Sequence, residues 1–395
     1  MDRGMQKRQS QITSNGYRPK NELGFVKKCV PVVCLLVICS LFGSACNKNP
    51  VESDEFVSFE WPVSSPEEQG FDPEMFSRAL EEAKNRTFIF SLVVVRHGYL
   101  VSEYYRWTDY YNRNDPWMVR SMTKSFISAL IGIAIEHGYI DSVGQHVLDF
   151  FPEYVTPSLD PRKQDMTIED LLTMKSGLPS DGSADTLLSG QYDFIKDILE
   201  CPLIDDPGED FHYSSIGAHL LSGILTKASG MNTRDFADQY LCEPLGISIP
   251  YWDADPQGYP YGGSGMRLMP RDMARFGLLY LQNGSIDGRR ILSEAWIRAS
   301  FQDYEGGDWT WGVLEHVGYG YLWWMADMGD YRIFFALGWS GQYILVIPDL
   351  DMVIVTTSNF PFEPEESDLR ERSILELVKT YILPAVRFDE GHGVR

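Results

Sequence analysis

The chain has 395 residues, 44% hydrophobic and 13% aromatic, which suffices for a sizeable core in one large two-part domain or two ordinary ones. That excludes a disordered tail or a mini-protein. A formal net charge of −22 works against a polyanionic partner, because phosphate recognition needs clustered Lys and Arg, so no nucleic acid is expected.

At the amino terminus Arg3, Lys7, Arg8, Arg18, Lys20, Lys27 and Lys28 precede an apolar run from Cys29 to Phe42, then Gly43-Ser44-Ala45 and Cys46. This is the order of an export signal, with its basic, apolar and small-residue regions, and it assigns residues 1–45 to a signal peptide. The apolar run is shorter than the roughly 20 residues of a spanning helix. Leu41 to Cys46 resembles a bacterial lipobox with Gly43 where Leu is usual, which makes Cys46 the candidate lipidation site. An uncleaved signal anchor is the alternative, and either reading exports the domain to a periplasmic or cell-surface face of a membrane. Residues 46–60, polar and acidic with Pro50, read as a tether. With Cys29, Cys34 and Cys39 inside the signal, Cys201 and Cys242 remain, and spacing does not pair them. Without C-x-x-C or H-E-x-x-H, neither a metal nor a cofactor is expected.

The body is expected over 61–395. Asp72 to Asn85 predicts a capped amphipathic helix with Phe76, Leu80 and Ala83 on one face. Phe88–Arg96 and Tyr99–Trp107 predict two strands hinged at His97-Gly98. Ser121–His137 is apolar on most sides, as a core helix is, and Gly138 closes it. Helical patterns follow at Thr167–Met174, Ser214–Ala228, Thr233–Tyr240 and Pro270–Gln282, an α-rich insertion spanning about 140–300. Strands return at Tyr319–Met325, Tyr331–Ala336, Tyr343–Ile347 and Met352–Ser358, and a helix near Ser367–Leu383 ends at Pro384. The expected fold class is α+β: an antiparallel sheet formed by both chain ends, flanked by helices, with the α-rich insertion between.

Three segments carry chemistry. Ser121-Met122-Thr123-Lys124 places a hydroxyl and an amine one helical turn apart. A serine hydroxyl needs a base to become a nucleophile, and a lysine serves when burial or a nearby cation depresses its pKa. The helix amino terminus adds positive potential where an oxyanion forms. Among the lysines, Lys124 alone has serine three residues before it. The competing reading makes Ser121 a helix cap and Lys124 a solvated charge, a poor fit to so apolar a helix. Tyr213-Ser214-Ser215 heads another helix and offers a phenol to relay a proton and a hydroxyl, Ser215, to bind substrate; as a pattern it is common, and Tyr110-Tyr111-Asn112 also satisfies it. Leu337 to Gln342, with Trp339, Ser340 and Gly341, is a small-residue strand entrance against which a substrate backbone can lie.

In this order and on these elements, the three segments resemble the serine β-lactamase and penicillin-binding-protein superfamily, with its S-x-x-K, Y-x-N and K-T-G motifs. The class C branch, family VIII esterases, D-stereospecific peptidases and aminohexanoate-oligomer hydrolases are the nearest in pattern, and Thr167–Leu178 and Pro270–Gly277 are similar as well. The resemblance covers Trp61 to the carboxyl end. It implies Ser121 as acylated nucleophile, Lys124 as its base, Tyr213 as proton relay, and the N–H groups of Ser121 and Gln342 as oxyanion hole; it places Ser215, Trp339, Ser340 and Gly341 along the substrate. Trp339 replaces the family's Lys or His, and Ser215 replaces its Asn, so the resemblance implies a small-molecule ester or amide substrate rather than an antibiotic. A true β-lactamase or D-peptidase on cell-wall peptides, and a non-turnover penicillin-binding or sensor protein, are the rivals. His212 reads as a hydrogen-bonded structural residue, Glu169 as part of a solvated face, and Trp309, Trp311, Trp323 and Trp324 mostly as core.

Overall fold

The computed structural model describes residues 59–106, 114–181, 192–361 and 363–387. The signal segment, Cys46, most of the tether and Tyr110-Tyr111-Asn112 lie outside them, as do residues 182–191.

Helix α1 (Pro73–Asn85) begins as the sequence predicts. The Asp72 carboxylate accepts from the N–H groups of Glu74 and Met75, both at 3.0 Å, and Pro73 has no N–H to leave orphaned in the first turn. Strands β1 (Ile89–Arg96) and β2 (Tyr99–Tyr105) pair antiparallel. Their turn residues His97 and Gly98 both have positive φ, +50° and +78°, the combination whose twist suits a two-residue hairpin.

The middle of the chain is mostly helical, running β3 (Trp117–Met118), α2 (Thr123–Glu136), α3 (Ile168–Leu172), α4 (Phe194–Glu200), α5 (Ser215–Ser229), α6 (Thr233–Ala237) and α7 (Glu243–Leu245). Then come β4 (Tyr251–Trp252), β5 (Met266–Leu268), α8 (Pro270–Leu281), the small hairpin β6 (Ser285–Ile286) and β7 (Arg289–Arg290), and α9 (Glu294–Ser300). The final section is β8 (Trp309–Trp311), β9 (Leu314–Tyr319), β10 (Trp324–Met328), β11 (Tyr331–Gly338), β12 (Gln342–Ile347), β13 (Met352–Ser358) and α10 (Pro364–Leu377).

The main sheet has eight strands in the order β2-β1-β13-β12-β11-β10-β9-β8, antiparallel throughout. The last strand therefore lies between the first hairpin and β12, with Val94 opposite Ile354 and Leu345 opposite Ile354 on the other side. Consecutive side chains point to opposite faces, and both faces are covered. Ile344 and Val353 meet α8 at Gly277, where a Cβ would lie 2.7 Å from each. The neighbouring Tyr343 donates its hydroxyl to the Glu371 carbonyl of α10 at 3.4 Å. Covered on both sides, β12 and β13 are buried along their whole length. A second, three-stranded sheet, β3-β5-β4, ties the approach to α2 to the middle section.

Two expectations change. Tyr319–Met325 is not one strand: β9 ends at Tyr319 and β10 starts at Trp324, because the chain turns through Leu322 at φ +58°. An almost uninterrupted apolar run concealed that turn. The body also begins before Trp61, since the Phe59 N–H donates to the Gly246 carbonyl at 3.0 Å and the Arg275 guanidinium lies over the Phe59 ring. Cys201 and Cys242 are both free and buried.

Candidate active site

Ser121 lies in a 3-10 turn, Arg120–Met122, immediately ahead of α2, whereas the sequence predicts the helix to open at Ser121 itself. The turn follows from Arg120, whose φ of +54° is a left-handed conformation uncommon outside glycine. Spacing by three nonetheless keeps Ser121 and Lys124 on one side, because residues i and i+3 eclipse in a 3-10 turn.

All residues of α2 from Thr123 to Ala134 are buried, and Lys124 is 1% exposed. A buried charge is tolerated only with partners, and three acceptors surround Nζ. It donates to Ser121 Oγ at 3.1 Å, to Ser215 Oγ at 2.8 Å and to the Gly263 carbonyl at 2.9 Å. The Gly263 approach requires glycine: a Cβ there would sit 2.7 Å from Ser215 Cβ.

Tyr213 precedes α5, whose N-cap Ser214 accepts from the Gly217 N–H. Its ring centroid is 4.7 Å from Lys124 Nζ, and Trp324 stacks beside it at 5.8 Å while Tyr319 meets it edge-on at 6.1 Å. Burial pushes the phenol pKa far up, the Asp181 charge adds to this, and the Ser121 hydroxyl opposes it.

Ser215 faces two ways. Its hydroxyl accepts from Lys124 and donates to Asp181 Oδ2 at 2.7 Å, and its N–H donates to Asp181 Oδ1 at 2.6 Å. Asp181 in turn donates its N–H to the Tyr213 carbonyl at 3.0 Å. Neither Asp181 nor Gly263 is predicted as a site residue from sequence. The glycines around 262–265 are the signal that was present.

The third segment is the turn between β11 and β12. Ser340 and Gly341 have φ of +70° and +86°. Ser340 is fully buried, with its N–H on Glu371 Oε1 at 2.6 Å and its hydroxyl on the Asn359 carbonyl at 2.9 Å. Burial pushes the Glu371 carboxyl up to about 8. Gly341 leaves room for Ile374, which a Cβ would approach to 2.4 Å. Gln342 is buried, and its side-chain amide braces the turn through the Trp339 and Ser358 carbonyls, both at 3.1 Å. Trp339 stacks on Phe360 with ring centroids 6.0 Å apart. The structure thus brings Ser121, Lys124, Tyr213 and Ser215 into one contact network, and sets Trp339 to Gln342 on the strand entrance whose Gly338 packs against the Val119 carbonyl, two residues before Ser121.

Other candidates resolve simply. His212 bonds Asp205 through its ring, Glu169 is half-buried and accepts the Tyr321 hydroxyl, and Trp323 is core, packed against Tyr280 and Phe301. No group of His, Cys, Asp or Glu that could hold a metal occurs among the described residues.

A model of the beta-lactamase family matches residues 78–379. The chain belongs to the beta-lactamase family. It is a serine hydrolase of that family, and its relatives span several activities. The 6-aminohexanoate-dimer hydrolase of Paenarthrobacter ureafaciens is 23% identical over 316 residues, covering 71% of this chain and 75% of that protein. Among solved structures of the same fold, a Bacillus anthracis protein proposed as a 6-aminohexanoate-dimer hydrolase superposes with a TM-score of 0.67 at 21% identity, over 83% of this chain and 87% of its own. EstCE1, described as a hydrolase with promiscuous acyltransferase activity, gives 0.62 at 18% identity, over 78% and 98%.

Proposed function

We propose that this beta-lactamase-family chain hydrolyses a small ester or amide through an acyl-enzyme on Ser121. The observation that carries the reading is the Lys124 amine 3.1 Å from Ser121 Oγ with the Tyr213 ring beneath it. In its neutral form Lys124 takes the Ser121 proton as Oγ attacks the substrate carbonyl carbon. The N–H groups of Ser121 and Gln342 receive the developing oxyanion. Collapse breaks the bond to the leaving alkoxide or amine, Tyr213 passes it a proton, and water then cleaves the acyl-serine to release the acid and restore the hydroxyl. Ser215, engaged by Lys124 and Asp181, has no amide with which to steady a β-lactam side chain, which favours simple esters and amides.

Turnover of a short-chain p-nitrophenyl ester and of a chromogenic cephalosporin by the purified protein, beside Ser121→Ala, tests the reading. Ester hydrolysis abolished by the substitution, with little cephalosporin hydrolysis, is expected; cephalosporin turnover makes it a β-lactamase, and equal activity in the variant removes Ser121 as nucleophile. The basic and apolar order ahead of Cys46 supports export and lipid anchoring of the same chain. In a bacterial host, labelling with a clickable palmitate is then expected and is lost in Cys46→Ala; label retained by the variant refutes the anchor.

A further inference from the structure

Gly263 gives Lys124 its backbone acceptor, and a second glycine precedes it. Both lie against α5, in contact so close that only glycine fits: a Cβ on Gly262 would come 2.0 Å from the Ala218 carbonyl oxygen, and one on Gly263 2.7 Å from Ser215 Cβ. Two adjacent glycines have a wide choice of backbone angles, so the direction of the Gly263 carbonyl has to be fixed from outside.

The anchor lies on α5 itself, one turn beyond Ser215, at His219. The Gly262 N–H donates to His219 Nδ1 at 3.3 Å, and Nε2 lies 3.1 Å from Asp255 Oδ2. A backbone N–H can only donate, so Nδ1 is the acceptor nitrogen and the ring hydrogen sits on Nε2, facing the carboxylate. Asp255 is held in turn: its Oδ1 accepts from the N–H groups of Gln257 and Tyr259, both at 2.9 Å. Both side chains of the pair are buried, and the rings of Tyr261 and Phe194 pack on the imidazole with centroids 5.4 and 6.3 Å away. Farther along α5, Ser222 donates to the Pro260 carbonyl at 2.6 Å. The contacts therefore run from Asp255 through His219 to Gly262, and one residue later the chain presents its carbonyl to Lys124.

We propose that His219, oriented by Asp255, is a positioning residue that aims the Gly263 carbonyl at Lys124 and so keeps the amine in line with Ser121 Oγ. The proposal rests on Lys124 as the base and says what holds that base in place.

Three substitutions in the full-length protein separate the two contacts of the ring. In His219→Gln the longer amide carries an N–H to the place of Nε2, which keeps Asp255 and leaves the Gly262 N–H without an acceptor. In His219→Asn the shorter side chain brings an oxygen to the place of Nδ1, which keeps Gly262 and leaves Asp255 without its donor. Asp255→Asn is isosteric, but its oxygen stays with Gln257 and Tyr259 and its N–H faces Nε2, so the ring hydrogen moves to Nδ1 and meets the Gly262 N–H donor to donor. With a short-chain p-nitrophenyl ester, His219→Gln and Asp255→Asn are expected to lower kcat about tenfold with KM within about twofold, as one unpaired buried donor acting on the transition state implies. His219→Asn is expected to stay within about threefold of native kcat, although it too loses a hydrogen bond and some Tm. Deuterium uptake by peptides spanning residues 259–265 follows the anchor without turnover, and it should rise in the first two variants and not in His219→Asn. Equal loss of kcat in the two His219 variants, native kcat in Asp255→Asn, or native uptake in both Asp255→Asn and His219→Gln overturns the proposal. Should a His219 variant fail to fold, the isosteric Asp255→Asn decides by itself. Ester turnover that survives Lys124→Ala overturns the base instead, and the uptake result then judges the anchor separately.

Discussion

Lys124 shares one ammonium among a nucleophile candidate, a serine and a backbone carbonyl, and the serine passes the interaction on to Asp181. The Asp181 carboxylate fixes both the hydroxyl and the N–H of Ser215, so it sets the direction from which Ser215 meets Lys124. Replacing Asp181 by Asn exchanges one of the two acceptor oxygens for a donor, and one Ser215 group loses its partner. A buried donor left unpaired costs about 1–3 kcal/mol, which is about ten- to a hundredfold in rate if it falls on the transition state. Asp181→Asn is therefore expected to lower kcat for a p-nitrophenyl ester by about that factor with KM nearly unchanged and Tm within a few degrees of native. An unchanged kcat beside a lowered Tm would give Asp181 a part in stability and none in turnover.

At the level of elements, what the sequence made legible is what periodicity encodes. α1 with its Asp72 cap, the hairpin at His97-Gly98, the core helix carrying Lys124, and β11 to β13 all stand within a few residues of expectation, because a buried face repeats along one segment. Ser121, Lys124 and Tyr213, which the structure brings together, were singled out for a different reason: a lysine in so apolar a helix asks for an explanation, and the family resemblance set Tyr213 beside it. The remainder of the site joins segments far apart in the chain. Asp181 meets Ser215 across 34 positions and Gly263 meets Lys124 across 139, and neither pairing leaves a local pattern. Glu371 shows the same limit. It lies in the terminal helix α10, its carboxylate holds the Ser340 N–H and the Ser367 hydroxyl, and in sequence it is one acidic residue among several.

For the whole molecule, the sheet order has a mechanical consequence. The first hairpin pairs with β13 and with no other strand of the main sheet, while β13 also pairs with β12, so the two ends of the chain close one sheet around the helical middle. α8 packs against Ile344 of β12 and Val353 of β13, and a loop closure of this length is entropically costly until those contacts form together. The hairpin lacks a sheet of its own to fall back on, and two strands alone are marginal in water. Amides of β1, β12 and β13 are therefore expected to exchange with deuterium as one group, at the slowest rates in the protein and within about tenfold of one another, opening only with global unfolding. Native-state hydrogen exchange followed by mass spectrometry measures this. Should β1 exchange orders of magnitude faster than β12, the amino-terminal hairpin opens by itself, and the carboxyl-terminal strands form a stable unit without it.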